Sequence, residues 1–168
     1  MIVTSAEANK ELKRYQEELS RILESEKERY VFVAATTEDT ESARPGYDFD
    51  WMQDRICELQ DKIRTIKHAI NEFNVTHKPD GFDMTVDEML VYIPQISGMK
   101  AKYQQMAKRL PKSRKDNSYS RSSLIEYEYA NYSIADAKVK LDETTAELTK
   151  AQLALDKLNT SVTFEINI

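Results

Sequence analysis

The chain has 168 residues, a net charge of −5, 3 glycines, 4 prolines and 32% charged residues. This composition indicates a helix-rich, well-solvated protein and excludes a loop-rich or disulfide-stapled one. Because Cys57 is the only cysteine and the N-terminal residues lack the basic and apolar regions of a signal peptide, we expect a cytoplasmic location.

The first predicted helix covers residues 5–29, and Thr4 with Glu7 forms a capping-box pattern at its start. Residues 30–35 are β-branched and aromatic, which predicts a short strand. The following stretch to residue 47 is polar and acidic and predicts an exposed loop.

The second predicted helix covers residues 49–74 and begins at a capping aspartate, Asp48 or Asp50. It carries an apolar stripe whose members follow one another at alternating steps of four and three, the spacing of one helix face. An amphipathic helix of this length must bury its stripe against other helices. The stripe consists of Met52, Ile56, Leu59, Ile63, Ile66, Ile70 and Phe73.

The third predicted helix covers residues 86–109 and opens at a second capping-box pattern, Thr85 with Glu88. Pro94 lies inside its apolar pattern, so we expect a kink or a break there. Residues 112–123 are basic and serine-rich, a composition that favours disorder.

Residues 124–130 alternate apolar and polar side chains, as a half-buried strand does. The fourth predicted helix covers residues 134–159 and begins after Ser133, and alternation over 162–167 predicts a terminal strand.

Together these elements predict a mainly α protein with one domain over residues 1–168. The expected architecture is an antiparallel up-down-up-down four-helix bundle with long helices and a small two-stranded β-ribbon at one end. This topology brings strand 30–35 beside strand 124–130, where we expect them to pair. It also brings the C-terminal strand near residues 1–4, a second predicted pairing.

Several kinds of catalytic site are excluded by their missing motifs. The three glycines are isolated, so no glycine-rich phosphate loop is present, and no G-x-S-x-G nucleophile elbow occurs. A di-iron site in a helical bundle needs Glu-x-x-His pairs, but Thr65 and Asn74 lie three residues before the two histidines. We therefore predict no catalytic residue and no cofactor.

One polar turn contains potential metal ligands, His77, Asp80, Asp83 and Asp87. Ordinary turn and helix-capping roles explain these residues better than a metal site does. We predict that no metal is bound there.

Positive charge is concentrated in residues 100–121, which carry eight cationic residues against Asp116. The basic loop 108–121 is either a solubilising segment that balances the acidic loop 36–50, a site for an anionic partner, or a tether sensitive to proteolysis. For an anionic partner, the predicted binding residues are Lys112, Arg114, Lys115 and Arg121. Nucleic acid is an alternative partner that the overall pI of about 5.2 does not favour.

Tyrosines are frequent near the same predicted end of the bundle. Tyrosine is enriched at protein–protein interfaces, so Tyr127, Tyr129 and Tyr132 are predicted to form an interface for self-association. Side-by-side pairing of the bundles is a second predicted mode of self-association. The alternative is that these rings only cover the two-stranded ribbon, which is marginal in water without support.

The order of several short motifs resembles the septicolysin-like family of small bacterial helical proteins. The resemblance covers most of the chain and implies a helical fold and a bacterial origin. The family name implies a lytic role, but no residue here carries that role across. The motifs are Tyr30-Val-Phe-Val, Ile70-Asn-Glu-Phe-Asn74, Met84-Thr-Val-Asp-Glu-Met-Leu, Ala130-Asn-Tyr-Ser-Ile and Leu155-Asp-Lys-Leu-Asn159.

The leading functional hypothesis is a non-enzymatic helical scaffold that binds another copy of itself or another protein. A nucleic-acid-associated accessory protein that uses loop 108–121 is the first alternative. A membrane-active lytic protein is the second. It is disfavoured because each helix has a narrow apolar seam that a bundle would bury.

Overall fold

The computed structural model describes residues 1–115 and 125–168, and the protein is mainly helical. Its elements in chain order are β1 (Ile2–Thr4), α1 (Ser5–Lys27), α2 (Thr40–Ala43), α3 (Phe49–Thr76), α4 (Val86–Lys108), β2 (Lys112–Arg114), β3 (Tyr127–Tyr129), α5 (Ile134–Ser161) and β4 (Thr163–Glu165). The four long helices lie close to their predicted bounds. None of the helices in the described ranges is long and apolar enough to cross a membrane.

The chain divides into two compact units, Met1–His77 with Leu158–Ile168, and Lys78–Lys157. The single domain stays a prediction. In the first unit α1 and α3 pack antiparallel, because Ala8 near the start of α1 meets Ile66 and Ile70 near the end of α3. Ile166, which follows β4, completes this core cluster.

The apolar stripe on α3 is buried at six of its seven positions, and Ile63 is half-buried. The predicted pairing of the chain ends is confirmed: β1 and β4 form an antiparallel pair that matches Val3 with Phe164. Phe164 also packs on Phe73, with ring centroids 4.9 Å apart. The stripe of α3 and the paired chain ends therefore build one core.

The second unit contains a helical hairpin of α4 and most of α5, together with β2 and β3. Its core cluster joins Met89 and Ile96 of α4 to Leu148 and Ala151 of α5. The Tyr92 hydroxyl donates to Glu147 at 3.3 Å. Burial and the neighbouring carboxylate raise the pKa of Tyr92.

Local capping signals explain where the long helices begin. The capping boxes at Thr4 and Thr85 are both present, with each threonine accepting from the N–H of the glutamate three residues later. Asp48 caps α3 by accepting from the Trp51 N–H at 3.0 Å, and Ser133 accepts from the Asp136 N–H at 3.2 Å. The orphan N–H groups of the first helical turns are thus partly satisfied by side chains nearby in sequence.

The predicted strand over residues 30–35 is wrong, because these residues form a bend and irregular structure. Val31 and Val33 are 65% and 93% exposed, so their β propensity is not supported by any packed surface. The predicted pairing of 30–35 with 124–130 is wrong as well, since β3 pairs with β2. A nearby partner costs less loop-closure entropy than one about ninety residues away.

Two further differences concern the predicted loop 36–47 and the predicted break at Pro94 in α4. The one-turn helix α2 lies inside the predicted loop 36–47. Asp39 caps it by accepting from the Glu41 N–H at 3.4 Å, and Asp39 also accepts from the Ser42 hydroxyl at 2.6 Å. Helix α4 continues through Pro94, so no break occurs there, and the kink stays a prediction.

Candidate functional site: one face of the β2–β3 ribbon

The candidate site lies on the two-stranded ribbon formed by β2 and β3. Helix α4 ends at Lys108, and Pro111 then precedes β2 and accepts a backbone hydrogen bond from Ala130 at 3.1 Å. At the other end of the ribbon, the Lys115 N–H donates to the Glu126 carbonyl at 2.9 Å. The ladder therefore extends one residue beyond each strand and fixes the register.

The register separates the side chains onto two faces. Residues paired across an antiparallel ladder share a face, and successive residues alternate between faces. Lys112 is paired with Tyr129, and Arg114 with Tyr127. These four residues form what we call the basic–aromatic face.

The opposite face, which we call the paired face, carries the carboxylates of the ribbon. Ser113 is paired with Glu128 there, and Lys115 lies 3.1 Å from Glu126. Arg109, at the end of α4, lies 3.3 Å from Glu128. The carboxylates of Glu126 and Glu128 are thus each matched by a cation on this face.

The cations of the basic–aromatic face contact aromatic rings rather than carboxylates. The Lys112 Nζ lies 4.1 Å from the ring centroid of Tyr127 and 5.5 Å from that of Tyr129. Within residues 1–115 and 125–168, neither Lys112 nor Arg114 has an acidic side chain at ion-pair distance. Both cations are exposed, so their charge faces the solvent.

The three predicted interface tyrosines have different environments. Tyr127 and Tyr129 are 46% and 66% exposed, both on the basic–aromatic face. Tyr132 is half-buried, and its hydroxyl donates to the Met106 carbonyl at 2.8 Å. The Met106 carbonyl also accepts from the Arg109 N–H at 3.3 Å, so Tyr132 adds a second hydrogen bond to the last turn of α4.

The four predicted anion-binding residues are separated in the same way. Lys112 and Arg114 lie on the basic–aromatic face, and Lys115 lies on the paired face in its ion pair with Glu126. Arg121 falls outside the described residues. The ribbon therefore brings two of the predicted cations together with two of the predicted tyrosines.

Sequence reasoning missed β2, because residues 112–115 were assigned to a segment expected to be disordered. A usable signal was present. Arg109 and Lys115 are matched in antiparallel order by Glu128 and Glu126, and opposite charges across two strands stabilise their pairing.

The turn with potential metal ligands has structural roles. Asp83 pairs with Lys78 at 2.6 Å and Asp80 with Lys157 at 2.8 Å. These lysines lower the pKa of each aspartate. The His77 ring stacks on Phe73 with centroids 4.2 Å apart. Among the residues that the structure describes, no group of three or more histidine, cysteine or acidic side chains is placed to hold a metal.

No protein-family model matches the chain, and no curated protein gives a significant match. The fold is similar to a crystal structure described as that of a functionally unknown conserved protein from Corynebacterium diphtheriae. The similarity has a TM-score of 0.60 at 18% identity and covers 98% of this chain and 100% of that one. At this identity the likeness shows a common fold.

Proposed function

We propose that this protein is a non-enzymatic interaction protein that binds its partner through the basic–aromatic face of the ribbon. The observation that carries the proposal is the separation of charge by the ribbon register. Lys112 and Arg114 share a face with two exposed tyrosines, while Glu126 and Glu128 lie opposite and are paired. Tyrosine and arginine are among the residues that contribute most to binding energy at interfaces.

Charge and ring chemistry together define the partner as anionic. Two exposed cations without a carboxylate partner among the described residues attract negative charge. Exposed tyrosine rings add apolar contact area at low cost in side-chain entropy. A cytoplasmic location remains part of the proposal and rests on the single cysteine of the chain.

The test compares two variants that each remove two positive charges from the same ribbon. The face variant is Lys112→Gln with Arg114→Gln, and the control variant is Arg109→Gln with Lys115→Gln. Tagged wild-type and variant proteins are purified from the native host, and co-purifying protein and nucleic acid are measured by mass spectrometry and absorbance. We expect the face variant to lose the partner and the control variant to keep it. Equal recovery with both variants would refute the proposal.

We also propose that the chain self-associates through the second unit. Helix α4 has no charged residue from Met89 to Met99, yet Leu90 and Val91 are 50% and 59% exposed, and Leu153 of α5 is 65% exposed. Leu90 and Pro94 line a groove with Leu155. Fully burying one leucine side chain contributes roughly 1.5–3 kcal/mol, so covering the half-exposed Leu90 in this groove would contribute about half of that amount.

Sedimentation velocity over a concentration series tests self-association. We expect the wild type to form a dimer that Leu90→Gln weakens. Val139→Gln serves as the control, because Val139 is similarly exposed at 54% and lies elsewhere on α5. A wild type that stays monomeric at every concentration would reject this part of the proposal.

We also propose an antiparallel four-helix arrangement and a relationship to septicolysin-like proteins. The four-helix arrangement is supported by the packing of α1 on α3 in one unit and of α4 on α5 in the other. The relationship to septicolysin-like proteins rests on the sequence motifs, and leakage of a dye from liposomes tests the lytic role that this name implies.

A further inference from the structure

We propose that the basic–aromatic face binds single-stranded nucleic acid, with its cations on the phosphates and its tyrosine rings stacked on unpaired bases. This inference rests on the proposed function and names the partner class for the same face.

The first argument concerns the cations. Lys112 and Arg114 are separated by one residue on β2, so their backbones are about 7 Å apart along the strand. Both are exposed, and within the described ranges neither is neutralised by a carboxylate. Such cations release condensed counterions when they bind a phosphate backbone, and this release drives non-specific binding.

The second argument concerns the rings. Tyr127 and Tyr129 occupy the same face of β3 with one residue between them and are 46% and 66% exposed. Sheets that bind single strands present aromatic side chains on a strand face, and each ring stacks on one base. Two rings spaced along one strand can therefore receive two bases of one extended chain.

The contact between Lys112 and the rings does not block this role. An exposed cation–π contact is worth about 2- to 5-fold in an equilibrium constant, whereas stacking of one base on an aromatic ring is worth roughly 5- to 150-fold. A base can thus displace the Lys112 ammonium, which remains beside the ring to meet the phosphate.

The same geometry favours a single strand over other polyanions. Bases of a duplex are stacked on one another and cannot reach the rings, so a duplex would engage only the cations. An acidic peptide would also satisfy the cations, but it brings no flat base to stack on the rings. Binding that requires both the cations and the rings is the signature of the proposed partner.

The experiment measures fluorescence anisotropy of labelled oligo(dT), oligo(U) and a duplex of equal length over a salt series, with the full chain. For either single strand we expect the face variant, Lys112→Gln with Arg114→Gln, to reduce the slope of log K against log salt by about 1.4, since two phosphate contacts are lost. The control variant, Arg109→Gln with Lys115→Gln, should change this slope by less than half of that amount.

The rings are tested separately. Tyr127→Leu with Tyr129→Leu should lower single-strand affinity at least about 25-fold, the product of two minimal stacking terms, and should leave duplex binding unchanged. Tyr127→Phe with Tyr129→Phe keeps the stacking surfaces and should bind single strands about as tightly as the wild type does. Circular dichroism of each variant checks that the fold is retained.

Three results would overturn the inference: no binding of either single strand at low salt, equal binding of the duplex, or equal loss in the face and control variants. Preference between oligo(dT) and oligo(U) assigns the strand to DNA or RNA. If the oligonucleotides do not bind but the face variant still loses a protein partner from the native host, nucleic acid is rejected and the proposed function stands. If neither assay responds to the face variant, both are rejected.

Discussion

Truncating two isoleucines on α3 tests whether the buried stripe stabilises the first unit as the packing indicates. Ile66 is fully buried in the cluster with Ala8, Ile70 and Ile166, whereas Ile63, one turn earlier, is half-buried. Both truncations to alanine remove the same atoms and give the same gain in helix propensity. Their difference therefore reports burial alone.

The magnitude follows from the atoms removed. Each truncation deletes three carbons, and burial of one methylene is worth about 0.8 kcal/mol, so Ile66→Ala loses about 2.4 kcal/mol of transfer free energy. The cavity left among rigid neighbours raises the expected loss to about 3–4 kcal/mol. Ile63 keeps a minor part of its side chain in solvent and leaves a smaller cavity, so we expect about 2 kcal/mol for Ile63→Ala.

Urea denaturation followed by circular dichroism measures the effect. Both variants should shift the midpoint without a change in m, and the shift for Ile66→Ala should be about 1.5 to 2 times as large as that for Ile63→Ala. Equal shifts would refute the assignment of Ile66 to the core and of Ile63 to its edge.

Four further predictions concern the second unit. Thr85→Ala removes the side chain that caps α4 and should cost about 1 kcal/mol of unfolding free energy, measured in urea. The Thr85 N–H and hydroxyl hold the pKa of Glu88 below its ordinary value of 4.5, so Glu88 adds stability above pH 4.5 that is lost as the pH falls through its folded pKa. Glu88→Gln should therefore lose less stability than the wild type between neutral and acidic pH, and parallel curves would contradict this. Gly81 has a φ of +80°, and a Cβ at this position would lie 3.8 Å from Lys150 Cε, which is ordinary van der Waals contact. Gly81→Ala should therefore destabilise by about 1–2 kcal/mol through backbone strain alone. Gly98→Ala, inside α4 with open space around it, should instead stabilise by up to about 1 kcal/mol in thermal melts.

The helices of this protein could be predicted because their signals are local. Thr4 with Glu7 and Thr85 with Glu88 satisfy N–H groups within the same turn, so the start of each helix depends on few residues. The apolar stripe on α3 predicts that this face of the helix is buried, without identifying the element that packs on it. These signals do not identify the partner of each face, and the core cluster of Ile66 needed Ile166 from the far end of the chain.

The candidate site was predicted in composition but not in geometry. Lys112, Arg114, Tyr127 and Tyr129 were all predicted site residues, yet Lys115 and Tyr132 were grouped with them because sequence proximity does not reveal a face. A shift of the ribbon register by one residue would exchange the two faces, so only the observed pairing separates the exposed cations from the paired ones.

The sequence by itself determined the elements whose formation depends on neighbours along the chain: the four long helices, their caps, and the polar turn at Gly81. Tertiary structure decided which segments pair as strands. Residues 30–35 have high β propensity but no strand partner among the described residues, and they stay irregular. Lys112–Arg114 have low propensity and form a strand because β3 provides matching backbone hydrogen bonds, next to the ion pair of Lys115 with Glu126. A strand gains its hydrogen bonds from another part of the chain, so its formation is a property of the pair and not of either segment alone.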